Sequence, residues 1–304
     1  MIDSTTHVHE GSNRYLLLGA SSFVGRHLFQ QLGHSAAVGT YFNNAKKYMR
    51  YFDSVTMSLG ELIRPDERFT HAVILLGDSQ PDSCHADIIK SQKLNVTSIV
   101  QIIDSLVSYN IIPIFISSQF VFDGVRGGYT EEDTVNPILV YGQQKVAVEN
   151  YLKDRCEAYL VLRLPHVYGS VKGDRTLLTS WLDQILKGET RIRCAEDQRF
   201  SPIYVGDVAE AVRATVESGC VGTYHVAGPQ IYARIELLKM LLSKLQDRLD
   251  IDIEIEACSI NEFAVAEPRP IDVSMNTDKL IRDTGLTLHD AGAVCEQIFR
   301  NYLL

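Results

Sequence analysis

Short apolar runs recur along the first half of the chain, and stretches of helical pattern fill the intervals. RYLLLG (14–19), AAVGTYF (36–42), HAVILLG (71–77), IIPIFI (111–116) and AYLVLRL (158–164) are each six or seven residues long and almost unbroken by charge. Runs this short and this apolar predict strands buried on both faces, as in a parallel sheet. Helical patterns follow them over 26–32, 88–109 and from about 141, and residues 78–85 read as a loop at the end of the third run. The alternation predicts right-handed crossovers and an α/β, doubly wound parallel sheet. Ligands of such sheets bind at the carboxyl ends of the strands.

Beyond 165 the rhythm loosens. Residues 176–187 read as helix, 191–194 as a short extended segment and 197–202 as a polar loop. A strand–helix passage follows over 203–216, then a strand over TYHVAG (223–228) and an amphipathic helix over 234–247. Residues 251–258 alternate like a strand, 268–270 form a loop and 287–304 close the chain as helix. There is no internal repeat and no low-complexity tether. Two interleaved parts are expected: 13–165 with 203–227 returning to it, and a smaller α+β part from 166–202 and 228–304.

The first strand ends in a glycine turn. Gly19 permits the tight bend, and Gly25 lets the following helix pack closely. Strand, glycine turn and helix open a Rossmann-type dinucleotide fold. The middle glycine of that fingerprint is Ser22 here, which either costs phosphate affinity or hydrogen-bonds a phosphate. After the second strand no carboxylate stands ready for a ribose 2′-hydroxyl before Asp53. Lys46, Lys47 and Arg50 stand there instead, which tilts the reading towards NADPH, with NADH as the alternative.

The fourth apolar run ends at Ser117 and Ser118, and Tyr141 and Lys145 sit four apart at the start of a helix. That spacing puts both side chains on one helical face. A free phenol, with a pKa of about 10, is a poor proton shuttle near neutrality, and a neighbouring ammonium favours its ionised form. Ser118 could hold a carbonyl oxygen while Tyr141 gives it a proton. A lone Tyr-x-x-x-Lys arises by chance; the serine and the glycine turn are what make it specific.

Composition narrows the partners. The chain has 304 residues, formal charge −9 and no basic block, which argues against nucleic acid and anionic membrane. The six cysteines are scattered without a C-x-x-C, so no metal site is expected and the default is reduced thiols in the cytoplasm. Residues 1–12, with His7-Val8-His9-Glu10, read as a flexible terminus.

With these residues assembled, the chain resembles an extended short-chain dehydrogenase/reductase of the dTDP-4-dehydrorhamnose reductase branch. The landmarks are LLLGASSFVG, KLNV, ISSQFVFDG, YTEED, PILVYGQQK, LRLPHVYG, DQRFSPIYVGDVA, GTYHVAG and RPIDVSMNTDKL. The resemblance implies reduction of the keto group of a nucleotide-diphosphate 4-keto-deoxysugar. It makes Ser118 the group that polarises the carbonyl, Tyr141 the proton donor and Lys145 its partner and ribose anchor, with Asn95 supporting a relay to Lys145. It also implies cofactor contacts. These come from Gly19, Ser21, Ser22, Phe23, Val24 and Gly25; from Tyr41, Asn43, Lys46 and Asp53; and from Leu76, Gly77, Ser117 and Leu164. Asp78, Gln119, Phe120 and His166 would line the sugar, and Arg193, Arg199 and Arg269 the diphosphate. A homodimer is left open.

Gln119 and Phe120 depart from the Asp-Tyr usual in the branch, which leaves the sugar open. A 4-epimerase uses the same triad with tightly bound NAD. A relative of the branch serves as the regulatory subunit of methionine adenosyltransferase and keeps the tyrosine and lysine, so the triad also fits a non-catalytic NADP-binding subunit.

Overall fold

The computed structural model describes residues 13–303, so the expectation for 1–12 lies outside the described residues. Seven parallel strands form the central sheet: β1 (Tyr15–Leu18), β2 (Ala37–Tyr41), β3 (Met49–Tyr51), β4 (His71–Ile74), β5 (Ile112–Ser118), β6 (Leu160–Leu164) and β7 (Gly222–His225). Their order is β7-β6-β5-β4-β1-β2-β3. The order reverses at β1, between β2 and β4, and such a switch point opens a crevice at the strand ends.

Alternation along each strand feeds two cores. Tyr15 and Leu17 of β1 join Val73, Ile114 and Leu162 beneath helices α1 (Phe23–Ala36) and, later in the chain, Val205–Glu217. Leu16 and Leu18 join Ile74, Phe115 and Val161 on the opposite face, beneath α2 (Ser98–Ser108) and α3 (Val140–Arg155). This two-sided burial is why the strands read as unbroken apolar runs rather than as alternating ones. A third core joins Leu178, Trp181 and Leu182 of α4 (Leu177–Leu186) to Leu238 and Leu241 of α6 (Arg234–Gln246) and to Val294 and Ile298 of α7 (Ala291–Leu303). The helix Val205–Glu217 is α5. Among the described residues no helix is long and apolar enough to cross a membrane, and all six thiols are free.

Some segments differ from the sequence expectation. The helix expected over 88–109 is broken. A short helix, Ile88–Gln92, passes through a wider turn over Lys93–Thr97, where Ser98 N–H donates to Lys93 O, before α2 begins. The loop expected over 78–85 contains the helix Pro81–Ala86, which starts on a proline whose fixed φ suits a first turn. Strand β3, only three residues long with Arg50 at its centre, carried no apolar run.

Candidate active site

A cavity of about 730 Å³ opens at the carboxyl ends of the central strands. One wall is the turn after β1. Gly19 has φ +91°, and a Cβ there would meet Leu75 O at 3.0 Å. A Cβ at Gly25 would meet Gly19 O at 2.5 Å, so that glycine is required for the helix to sit against the turn. Ser22 caps α1, its Oγ accepting Gly25 N–H at 3.2 Å. The serine hydroxyl thus serves the helix. Ser22 O takes Arg26 N–H at 2.9 Å. Phe23 and Val24, in the first turn, have no intrahelical acceptor for their N–H groups. Thr40, which sequence reading passed over, accepts Gly19 N–H at 2.9 Å and ties the turn to β2.

Opposite this turn stand Ser118, Tyr141 and Lys145. Ser118 ends β5 and caps the following turn, its Oγ accepting Phe120 N–H at 3.3 Å. Tyr141 and Lys145 lie in the first two turns of α3, both buried. The chain can pass this close to α3 because residue 142 is glycine: a Cβ there would meet Phe120 O at 2.0 Å. Lys145 Nζ donates to Ile116 O at 2.9 Å and lies 5.6 Å from the Tyr141 ring centroid. Burial pushes the Lys145 ammonium down to about 8, opposed by the Glu149 carboxylate. Burial pushes the Tyr141 phenol above its ordinary value, while a hydrogen bond with Ser118 works against it. In this structure burial therefore outweighs the downward pull expected from Lys145.

Behind the triad lies a buried ionic network. Glu149, one turn beyond Lys145, meets Arg163 of β6 through contacts of 2.7 and 3.1 Å and accepts from the Ser117 hydroxyl. Ser117 is thereby engaged with the network while also lining the cavity. Asn95, in the wide turn, holds the loop after β4. Its Oδ1 accepts Asp78 N–H at 2.7 Å, and its Nδ2 donates to Asp78 O at 3.0 Å and to Gln144 Oε1 at 2.7 Å. The side chain is spent on positioning Gly77 and Asp78; it makes no direct hydrogen bond to Lys145.

Most of the predicted residues converge. Ser22, Phe23, Val24, Leu76, Gly77, Asp78, Ser117, Ser118, Gln119, Phe120, Tyr141, Lys145, Leu164, His166 and Arg269 line the cavity. Gly19, Ser21 and Gly25 shape the turn beneath it. Tyr41 ends β2 and Asn43 and Lys46 lie past it, all outside the cavity lining, with Asn43 and Lys46 exposed. Asp53 closes a local turn with Val55 N–H and the Thr56 hydroxyl, and these bonds hold its carboxyl below the usual range. Arg50, counted among the cations near the ribose, is taken by Glu67 at 2.7 and 2.6 Å.

Two predicted arginines stay outside the cavity. Arg193 pairs with Glu262 at 3.2 Å and Glu256 at 3.5 Å, and Arg199 lies 3.8 Å from Asp272. Arg269 lines the cavity but is paired with Asp82 at 2.7 Å. Sequence reading missed Arg234, Gln198 and Arg175, which also line the wall. They come from loops and helix ends far apart in the chain, where no local pattern marks them.

The RmlD substrate binding domain family model matches residues 13–302. The rat methionine adenosyltransferase 2 subunit beta is 27% identical over 237 residues, covering 74% of this chain and 70% of that protein. A probable low-salt glycan biosynthesis reductase of Haloferax volcanii is 29% identical over 192 residues, covering 61% of this chain and 63% of that protein. The dTDP-4-dehydrorhamnose reductase of Bacillus anthracis, solved in complex with NADP, superposes with a TM-score of 0.82 at 21% identity, over 95% of this chain and 99% of that one. The match along nearly the whole length, on the doubly wound parallel sheet that was expected, bears out the resemblance read from the motifs: the chain belongs to the RmlD substrate binding domain family.

Proposed function

We propose that this protein is an NADPH-dependent reductase acting on the keto group of a nucleotide-diphosphate sugar, with NADH as the alternative donor. The observation that carries the proposal is the convergence of Ser118, Tyr141 and Lys145 on one cavity wall, facing a turn fitted to a dinucleotide. The fit rests on the unpaired Phe23 and Val24 N–H groups at a helix N-terminus, which suit a pyrophosphate, and on glycines that leave no room for a side chain. Residues 19–25 would hold the pyrophosphate, and Lys145 the ribose next to the nicotinamide. A bound reduced nicotinamide would supply the hydride.

The chain's own residues do the rest. Ser118 donates a hydrogen bond to the carbonyl oxygen and orients it. Tyr141, its phenol raised by burial, keeps its proton at neutral pH, the state a proton donor requires. It protonates the oxygen as negative charge develops there. Lys145, charged below about pH 8, steadies the phenolate left behind. The names of the B. anthracis and H. volcanii relatives support reductase chemistry of this class.

A second reading is a non-catalytic NADP-binding subunit of another enzyme, supported by the likeness to methionine adenosyltransferase 2 subunit beta. The same assay separates the two. Oxidation of NADPH that depends on an added nucleotide-4-keto-sugar supports the reductase. Cofactor binding without oxidation across a panel of such sugars, together with co-purification of a methionine adenosyltransferase catalytic subunit, supports the other.

A further inference from the structure

Beyond Ser118 the cavity wall carries polar groups that the proton transfer does not use. Gln119 and Gln198 are each 1% exposed, and neither Oε1 atom has a partner among the described residues. His166 Nε2 and Arg234 Nε are enclosed and unpartnered in the same way. All four side chains line the one cavity. Buried polar groups in native proteins are almost always paired, so four orphans on one wall call for a ligand.

Arg234 is the most costly of them. It is the first residue of α6, and its backbone N–H donates to Gln198 O at 2.9 Å, which fixes the two side by side. Burial pushes its guanidinium down, and among the described residues the group opposing that is the Cys194 thiol rather than a carboxylate. Arg269, by contrast, already has Asp82 at 2.7 Å. Arg234 is half-buried with its Nε enclosed, and a cation held so without a counter-charge is unfavourable unless something supplies one. His166 cannot: burial and Arg234 hold it down to about 3, so it is neutral. The wall also leads to the chemistry. The His166 ring lies 6.2 Å from Phe120, and Phe120 lies 6.3 Å from Tyr141.

We propose that Arg234, with Gln198 beside it and Gln119 lining the same cavity, binds an anionic oxygen group of the substrate, a carboxylate on the sugar or a phosphate joined to it. The proposal rests on the sugar-nucleotide reading of this cavity and adds to it the charge that the substrate must carry there. The glutamine carboxamides, each both donor and acceptor, then pair with the hydroxyls beside that group.

The test is calorimetric binding of UDP, UDP-glucose, UDP-glucuronic acid, inorganic pyrophosphate and D-glucuronate to the wild-type protein, Arg234→Met and Arg234→Lys. Arg234→Met is expected to bind anionic probes about 10- to 100-fold more weakly, with Arg234→Lys recovering part of the loss. Its melting temperature without ligand should equal or exceed that of the wild type, because a half-buried, unpaired charge has gone. Loss confined to the two glucuronate probes identifies the carboxylate; equal loss for the nucleotides and pyrophosphate identifies the phosphate. Unchanged affinities in Arg234→Met, or no binding of any probe by the wild type, overturns the proposal. So does lost binding with a lowered melting temperature, which would make Arg234 a residue of the fold. NADPH oxidation with a neutral keto sugar is read separately, so the reductase reading can stand or fall without this one.

Discussion

At the scale of single residues, burial decides the chemistry. Tyr141→Phe removes the proton donor and leaves the ring, so turnover should fall by about 10²- to 10⁴-fold while NADPH binding, followed by fluorescence titration, stays unchanged. Lys145 is held at about 8, below its ordinary 10.5, by burial. Activity should therefore fall as pH rises through about 8, where the ammonium is lost; a rate that is flat to pH 10 would remove Lys145 from the mechanism. Stability moves the other way. Between about 8 and 10.5 the unfolded chain binds more protons at this site than the folded one, so stability at this site rises with pH across that window. Below it the full cost of burying the charge is present, about 3 kcal/mol. Lys145→Met should thus raise the melting temperature at pH 7 while abolishing turnover, and the gain should shrink by pH 10. Tyr141 and Lys145 were legible in the sequence because one helical turn fixes their relation. The direction in which the phenol shifts was not, because it depends on how deeply the fold buries it.

At the scale of elements, two close approaches hold the site. The first is the turn 118–122 lying on the start of α3, which tolerates no side chain at residue 142. Gly142→Ala should push Phe120 and Ser118 away, destabilise the protein by about 1–3 kcal/mol and lower the rate more than the affinity for NADPH. Urea denaturation with paired kinetics would check both. The second is the Glu149–Arg163 pair, at 8% and 7% side-chain exposure, which joins α3 to β6 behind Lys145. Removing one partner leaves a buried charge, so Arg163→Met should cost about 3–5 kcal/mol, and adding Glu149→Leu should recover most of it. The strands that frame the site were readable from their apolar runs. The break at Lys93–Thr97 was not: helical periodicity continues across it, and Asn95 holds the Asp78 loop from within that turn through tertiary hydrogen bonds. Strand β3 and the helix Asp278–Thr284 were too short to carry a period.

At the scale of the whole molecule, the sheet order brings together residues from 22 to 269 around one cavity. The strand–turn–helix rhythm announced that arrangement for the amino-terminal half. It could not announce the far wall, where Gln198 and Arg234 meet through the packing of α4, α6 and α7. The same distance in sequence explains the arginines. Arg193 and Arg199 were expected at the diphosphate because guanidinium forks suit its oxygens, yet neighbouring carboxylates take them before they reach the cavity. On the proposed function, the cavity joins a reduced nicotinamide to a sugar ketone. The measurement that tests it most directly is the absorbance of NADPH held by the purified protein as nucleotide-4-keto-sugars are added in turn. Oxidation is expected with at least one of them, lost in Tyr141→Phe. Oxidation that persists in Tyr141→Phe, or bound NADPH left unoxidised by every sugar, would contradict it.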